Sequence, residues 1–474
     1  MRVIKQIMLD EWRYWWRTKV ATTVMLIGLL LTVAAIVVNS LEIEHKAHQR
    51  EHLQHTAETR FVEQPDRHPH RMVHYGHYVF RTPSPLSIIE PGVDAFTGTS
   101  IFLEGHRQNS AMFSDQRQSS GLTRFSSLSP SFLIQVLAPL FIILIGYASV
   151  SREKEAGTLN IMITQGLNKW HLLLGKLLAL TTSGLLLLLP LILASSLLGN
   201  EESGLITTSF ILGYMLYVLV WSGLVVAISA LVNNNSVSFT SLIVVWVALA
   251  ILVPRIGSST AASLVPSPGK LEADFAVLEE MRKLGDGHNA ADPAFEKLKT
   301  NLLAKYQVDS IDKLPVNFRG VVAEYSEQKQ AKVLNKFAEQ RMSEELEQAQ
   351  IARQFGWLSP TVAIRSLSMM MAGTSLETHH RFLREAEALR IDFVQSLNRV
   401  HRDKLDYQTD VNRYKGENKA VVDASNWQVL ADFEFAPEST ANRLAQSMPY
   451  GLQLILWCVL VCLLLAVAIR RMAQ

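Results

Sequence analysis

The sequence predicts an all-α membrane protein, and three observations predict it. Of its 474 residues, 49% are hydrophobic and only 19% are charged. The apolar residues gather into six runs that contain no Asp, Glu, Lys, Arg or His. The larger polar stretch, 267–448, spaces its apolar residues as helices do rather than in alternation. The mean hydropathy of +0.15 therefore averages two chemistries, apolar spans and segments as polar as soluble domains.

A helix rises ~1.5 Å per residue, so a ~30 Å hydrocarbon core needs about 20 apolar residues. The runs are Val20–Val38, Phe132–Val150, Leu177–Leu198, Phe210–Leu231, Phe239–Val253 and Tyr450–Ile469, the fifth being the shortest. Basic residues near span ends mark the cytoplasmic side. Arg2, Lys5, Arg13, Arg17 and Lys19 precede the first run, Arg152, Lys154, Lys169 and Lys176 separate the second from the third, and Arg470 and Arg471 follow the last. With six spans these groups share one face, which predicts a multi-pass protein of the cytoplasmic membrane with both termini cytoplasmic. The loop Gly199–Gly204, with Glu201 and Glu202, then faces outward.

This topology predicts two extracytoplasmic segments, 39–131 and 254–448, and a cytoplasmic loop, 151–176. The first run is too long, and its basic flank too extended, for a cleaved signal peptide. Residues 1–19 mix Val3, Ile4, Ile7, Met8, Trp12, Trp15 and Trp16 with basic groups, as an interfacial helix or as the aromatic belt of the first span. In the larger segment, Leu334, Ala338, Met342, Leu346 and Ala349 predict one helix, and Leu383, Ala386, Phe393, Leu397 and Val400 a second. The run Gly356–Gly373, with Pro360 and Met369 to Met371, is expected to end the first of these. Its apolar cluster is expected against the helices or the membrane, or as a soft ligand surface. Pro139 and Pro190 predict kinks, either static or hinge-like. Asn233, Asn234 and Asn235 predict a helix stop.

Composition excludes several classes. A net charge of +2 without a basic stripe argues against nucleic acid. The only cysteines, Cys458 and Cys462, sit in the last apolar run, so the polar segments have no disulfides. No phosphate-binding G-x-x-x-x-G-K-[ST] loop occurs. The uncharged spans argue against a carrier driven by an ion gradient, which needs ionisable groups inside the membrane.

The loop 151–176 carries the most specific pattern. Glu153, Glu155, Gly157, Thr158 and Leu159 are followed by a short amphipathic stretch and then by Gly175 and Lys176 at the next span. In this order and position they resemble the signature of ABC-2 type permeases, although Gln165 and Gly166 stand where many relatives have a proline. The resemblance implies an ABC-2 bundle of the type V exporter kind and a permease subunit without catalytic residues of its own. It also implies that ATP and Mg²⁺ are bound by a separate dimeric cytoplasmic ATPase, and that a second permease, identical or related, completes the membrane part. A rigid loop is the element through which such a permease would receive force, with Glu153 and Glu155 pairing with basic groups and Leu159, Ile161 and Met162 supplying apolar contact. The large insertion before the last span is similar to that of permeases related to multicopper-enzyme maturation. Trp357 to Pro360, Leu367 to Gly373 and Phe382 to Arg390 carry that similarity.

Histidines crowd the first polar segment: His45, His48, His52, His55, His68, His70, His74 and His77. On a helix His45, His48, His52 and His55 would share one face, a possible Zn²⁺ or Cu²⁺ site with Glu42, Glu44 and Glu51 nearby. The bland alternative is an exposed, solvated face. His48 to His52 also spells H-x-x-E-H, but a protease needs a cleft and a third ligand from another element. Three functional classes remain: export of a substrate, mechanical signalling to a periplasmic protein, and a membrane-anchored metal module.

Overall fold

The computed structural model describes residues 2–112, 129–198, 202–413, 420–429 and 433–472. Among the described residues six helices are long and apolar enough to cross a membrane. Among these residues the strands form one antiparallel pair, β1 (His77–Phe80) and β2 (Ser100–Leu103), with His77 opposite Leu103. The predicted fold class is the observed one.

Helix α1 (Arg2–Thr18) ends where Lys19 adopts a left-handed φ of 62°, and α2 (Val20–Val62) starts at once. The helix does not break at Asn39, the expected outer edge of the first span. Hydropathy falls there, but residues 39–62 contain neither Gly nor Pro and are rich in good helix formers. The helix therefore continues for 43 residues, about 65 Å at ~1.5 Å per residue. A short helix α3 (Pro69–Tyr75) precedes the strands.

The remaining membrane helices are α4 (Pro130–Glu155), α6 (Lys169–Leu198), α7 (Gly204–Leu231), α8 (Asn235–Leu264) and, last in the chain, α15 (Thr440–Arg471). Helix α5 (Thr158–Thr164) lies between α4 and α6. The fifth span, expected as 239–253, is the middle of the longer α8. Asn234 caps that helix by accepting from the Val237 amide at 2.9 Å, so the asparagine run ends one helix and starts the next. Helix α7 is central: Phe210, Tyr214, Tyr217, Trp221 and Val225 are all fully buried. Helices α2 and α8 are outermost, exposing Leu26, Leu30 and Val37, and Val244, Ile251 and Ile256.

Two carbonyls next to prolines have partners, while Pro190 lies inside the continuous helix α6. Pro139 cannot donate to Gln135, and the Gln135 carbonyl accepts from the Tyr217 hydroxyl at 2.5 Å instead. Pro254 follows the wide π-type turn Val247–Leu252, where the Leu249 carbonyl accepts from Ser359 Oγ at 2.5 Å. At Pro139 and Pro254 the backbone is thus tied to a neighbouring element.

The larger polar stretch contains α9 (Lys270–Arg282), α10 (Glu296–Tyr306), α11 (Phe318–Gln354), α12 (Pro360–Ala372), α13 (Leu376–Lys404) and α14 (Tyr407–Val411). Helices α11 and α13 form an antiparallel pair zipped by three ion pairs, Glu324 with Arg402, Glu327 with Arg390 and Glu339 with Arg384, and by a 2.7 Å hydrogen bond between Glu345 and His380. The two polar segments do not fold apart. Phe61, Met72 and Val73 from the first share a core with Phe393, Leu397 and Trp427 from the second.

The first long helix ends at Gln354, just before the run expected to end it, and that run then forms α12, a wedge driven into the bundle. The Gly356 carbonyl accepts from Trp457 Nε1 at 3.0 Å, and Thr361 Oγ1 meets the Tyr217 hydroxyl at 2.9 Å. Trp457 and Tyr217 each stand seven residues inside apolar runs that begin at Tyr450 and Phe210, so the tip lies about 10 Å below the apolar boundary. Gly213 allows the approach, because a Cβ there would meet the Leu367 side chain at 2.7 Å. Met370 and Met371 are buried, the packed alternative of the two expected for this cluster.

Candidate coupling site at the basic end of the bundle

The loop joining α4 to α6 is braced from several sides. Helix α4 breaks at 147–150, and the break is held by serines: Ser229 Oγ accepts from the Val150 and Ser151 amides at 3.0 and 3.1 Å and donates to the Tyr147 carbonyl at 2.8 Å. Lys154 Nζ donates to the Ala230 carbonyl at 2.6 Å, neutralising the negative end of α7.

Four charges are gathered at its centre. Glu11 of α1 pairs with Lys176 and, at 2.8 Å, with Arg152. Glu153 lies 3.2 Å from Arg152 and 3.4 Å from Lys176, and accepts from Thr158 Oγ1 at 2.7 Å. The Arg152 guanidinium also stacks 3.8 Å from the centre of the Tyr14 ring. Two cations thus balance two carboxylates, with Glu11 and Lys176 almost wholly buried. Chemically the cluster transfers no group; it fixes α1, α4 and α6 to one another.

The predicted residues separate into two sets. Glu153, Thr158 and Lys176 meet in this knot, and Leu159 is buried in the main core. Glu153 and Leu159 therefore have partners within the chain. Gly175 lets α1 lie against α6, since a Cβ there would meet Ile7 at 2.7 Å. Glu155 is exposed and accepts from the Asn235 amide at 3.1 Å at the start of α8. Gly157 holds a left-handed φ of 69° in open surroundings. The apolar face left free is formed by Ile161, 57% exposed, and Trp170, 45% exposed. Sequence reading missed Glu11, which stands beside Asp10 as one of two acidic residues in a mostly basic and apolar helix and carries no local signal that sets it apart.

At the opposite end, Arg443 of α15 donates to both carboxylate oxygens of Glu202 at 2.8 and 2.9 Å and to the Met371 carbonyl. This fork covers the Glu202 side chain, which keeps 7% of its exposure; Gly199 and Glu201 of the same loop lie outside the described residues. Glu90 reaches the mouth of the bundle, accepting from Gln135 Nε2 at 2.9 Å, and Gln135 also bonds Tyr214. A cavity of about 640 Å³ opens between α2 and the β1–β2 pair, lined by Lys46, Arg50, Tyr78 and Phe102.

His45, His48, His52 and His55 are all exposed on the outer half of α2. Among the described residues, the ligand-capable groups that the fold brings together are other ones: His70, His74, His106 and His288, and separately His68, His401 and Asp410. His106 and His288 are isolated in the sequence and carry no local signal.

Residues 106–268 match the family described as ABC-2 family transporter protein, and residues 270–436 match a domain of unknown function, DUF3526. No curated protein is detectably similar to the chain. Six apolar helices, a braced loop of the ABC-2 pattern and these two adjoining matches together make the chain an ABC-2 family permease with a large additional domain inserted before its last membrane helix.

Proposed function

We propose that this chain couples ATP hydrolysis in a separate dimeric cytoplasmic ATPase to export of a substrate, with a second permease completing the membrane part. In this reading the basic end is cytoplasmic, ATP and Mg²⁺ belong to the partner, and the polar domain is extracytoplasmic. The observation that carries it is the charge knot Glu11–Lys176–Glu153–Arg152. It makes the loop a stiff lever, so a push on the exposed Ile161 face moves α1, α4 and α6 together rather than bending a loop. Ile161→Glu places a charge on that face without touching the knot. ATPase stimulation by the membrane subunit should fall at least tenfold while the variant folds normally; unchanged stimulation would remove the docking role.

A second reading, force transmission to a periplasmic protein without translocation, is favoured by two features. Helix α2 leaves the bundle as an unbroken rod, and α12 inserts the polar domain between membrane helices. A disulfide between Gly213→Cys and Leu367→Cys, in a background lacking Cys458 and Cys462, would pin α12 to α7. Force transmission predicts that the bond stops coupled ATP turnover; full turnover in the pinned protein would leave export alone.

A further inference from the structure

We propose that His70, His74, His106 and His288 form a four-nitrogen site for a divalent transition-metal ion, Zn²⁺ by its geometry, which staples the two polar segments together. Their ligand nitrogens all lie within 4.8 Å of one another. His74 Nε2 is 3.2 Å from His70 Nε2, which is 3.1 Å from His288 Nδ1. Tetrahedral Zn²⁺ with Zn–N bonds of ~2.0–2.1 Å separates its ligand nitrogens by about 3.3–3.4 Å. Hydrogen bonding accounts poorly for the cluster. One ring nitrogen carries either a proton or a lone pair, yet His70 Nε2 faces two other nitrogens at once. Four lone pairs directed at one cation satisfy every ring.

Each ligand is held from outside. His70 and His74 are one turn apart on the same face of α3, which begins where His68 Nδ1 accepts from the His70 amide at 3.1 Å. His68 is anchored by Asp410 at 3.1 Å. His106 sits at a positive φ of 65° just after β2, a conformation rare for a residue with a Cβ. Its Nδ1 faces the buried Glu327 carboxylate at 3.0 Å, while its Nε2 is buried with no hydrogen-bond partner. A carboxylate behind an imidazole whose other nitrogen is free is the usual arrangement of a metal-bound histidine. Glu327 is fixed in turn by Arg390 at 2.6 Å. His288 is presented by a tight loop in which its own amide donates to Asp286 at 3.0 Å. His74 and His288 are exposed, so an ion can enter from solvent.

Four protein ligands leave no open position for a substrate, which makes the site structural. It joins α3 and the β2 turn, which precede α4, to a loop that follows α8. The test uses the purified full-length chain, stripped with chelator and equilibrated with Zn²⁺ alone. One equivalent should be retained, and Co²⁺ in its place should give the strong visible bands of a tetrahedral ion. His288→Ala, on an exposed loop where folding is undisturbed, should weaken Zn²⁺ binding at least tenfold, and His106→Ala more. Glu327→Gln, a positioning variant, should weaken it about tenfold while keeping the tetrahedral Co²⁺ spectrum. His48→Ala with His52→Ala should change nothing. Background Zn²⁺ in the wild type, or full retention by folded His288→Ala, would overturn the proposal.

Discussion

At the scale of single residues, the protein concentrates its risk in a few buried charges. Glu11→Gln leaves the Lys176 ammonium buried with the more distant Glu153 as its remaining carboxylate. Breaking a buried pair from one side costs about 3–5 kcal/mol, whereas removing both partners costs much less. Thermal melts in detergent should therefore show Glu11→Gln as more damaging than Glu11→Gln combined with Lys176→Met. Equal or additive losses would mean the pair is not coupled. His77 carries the second residue-scale prediction. Burial alone pushes its imidazole down to about 4, and its Nδ1 has no hydrogen-bond partner. The unfolded chain protonates near the ordinary 6.5 and so binds the proton more readily between these values. The native state is then at full strength above pH 6.5 and loses about 3 kcal/mol as pH falls to about 4. Denaturant melts at pH 7, 5.5 and 4.5 should show a decline in the polar domain, to which the buried His379, also pushed down to about 4, contributes, and His77→Gln should make it shallower by the His77 share.

At the scale of elements, glycines decide where helices may touch. Gly356 lies under the Gln453 side chain, and its carbonyl is bound by Trp457. Gly356→Val should force the wedge tip away from α15 and lower the melting temperature of the whole protein by several degrees. A similar substitution at Gly157, whose surroundings are open, should cost only its backbone strain, ~1 kcal/mol. The contrast can be read in one set of melts, and equal effects would argue against close packing at the tip. Helix α2 teaches a related point. Its membrane part was readable from composition, but its length was not, because a change of solvent from lipid to water ends a hydrophobic run without ending a helix. The edge of the span at Asn39 follows hydropathy, whereas the length of the helix follows propensity.

At the scale of the whole molecule, the boundary of the additional domain is wider than the match to residues 270–436. Its core includes Phe61, Met72 and Val73, and a second cluster joins Val79, Ile101 and Leu103 to Phe382 and Phe435. A fragment limited to 270–436 lacks those side chains and exposes their apolar partners. It should show helix by circular dichroism but no cooperative thermal transition. A sharp transition would mean that the first polar segment is dispensable. Much of the candidate coupling site could be read in advance because Glu153, Thr158 and Leu159 are neighbours, and a local pattern survives in one dimension. Glu11 could not be, since its partners Arg152 and Lys176 are far along the chain and only packing of α1 on α6 unites them. The same reason hid the metal-capable cluster: the sequence pointed to four histidines on one helix, while the fold assembled His70 and His74 with the distant His106 and His288.

The sequence by itself determined that the chain crosses a membrane six times as helices, because in lipid every backbone amide must be satisfied locally and an uncharged run of about 20 residues has that one solution. It also determined the loop pattern and the side on which basic residues cluster. Only the tertiary structure decided which charges neutralise one another, that α12 re-enters the bundle, and that two polar segments share one core. Those outcomes depend on contacts between residues a hundred or more positions apart. Such contacts are chosen by shape and by mutual burial, and neither leaves a mark on any single stretch of sequence.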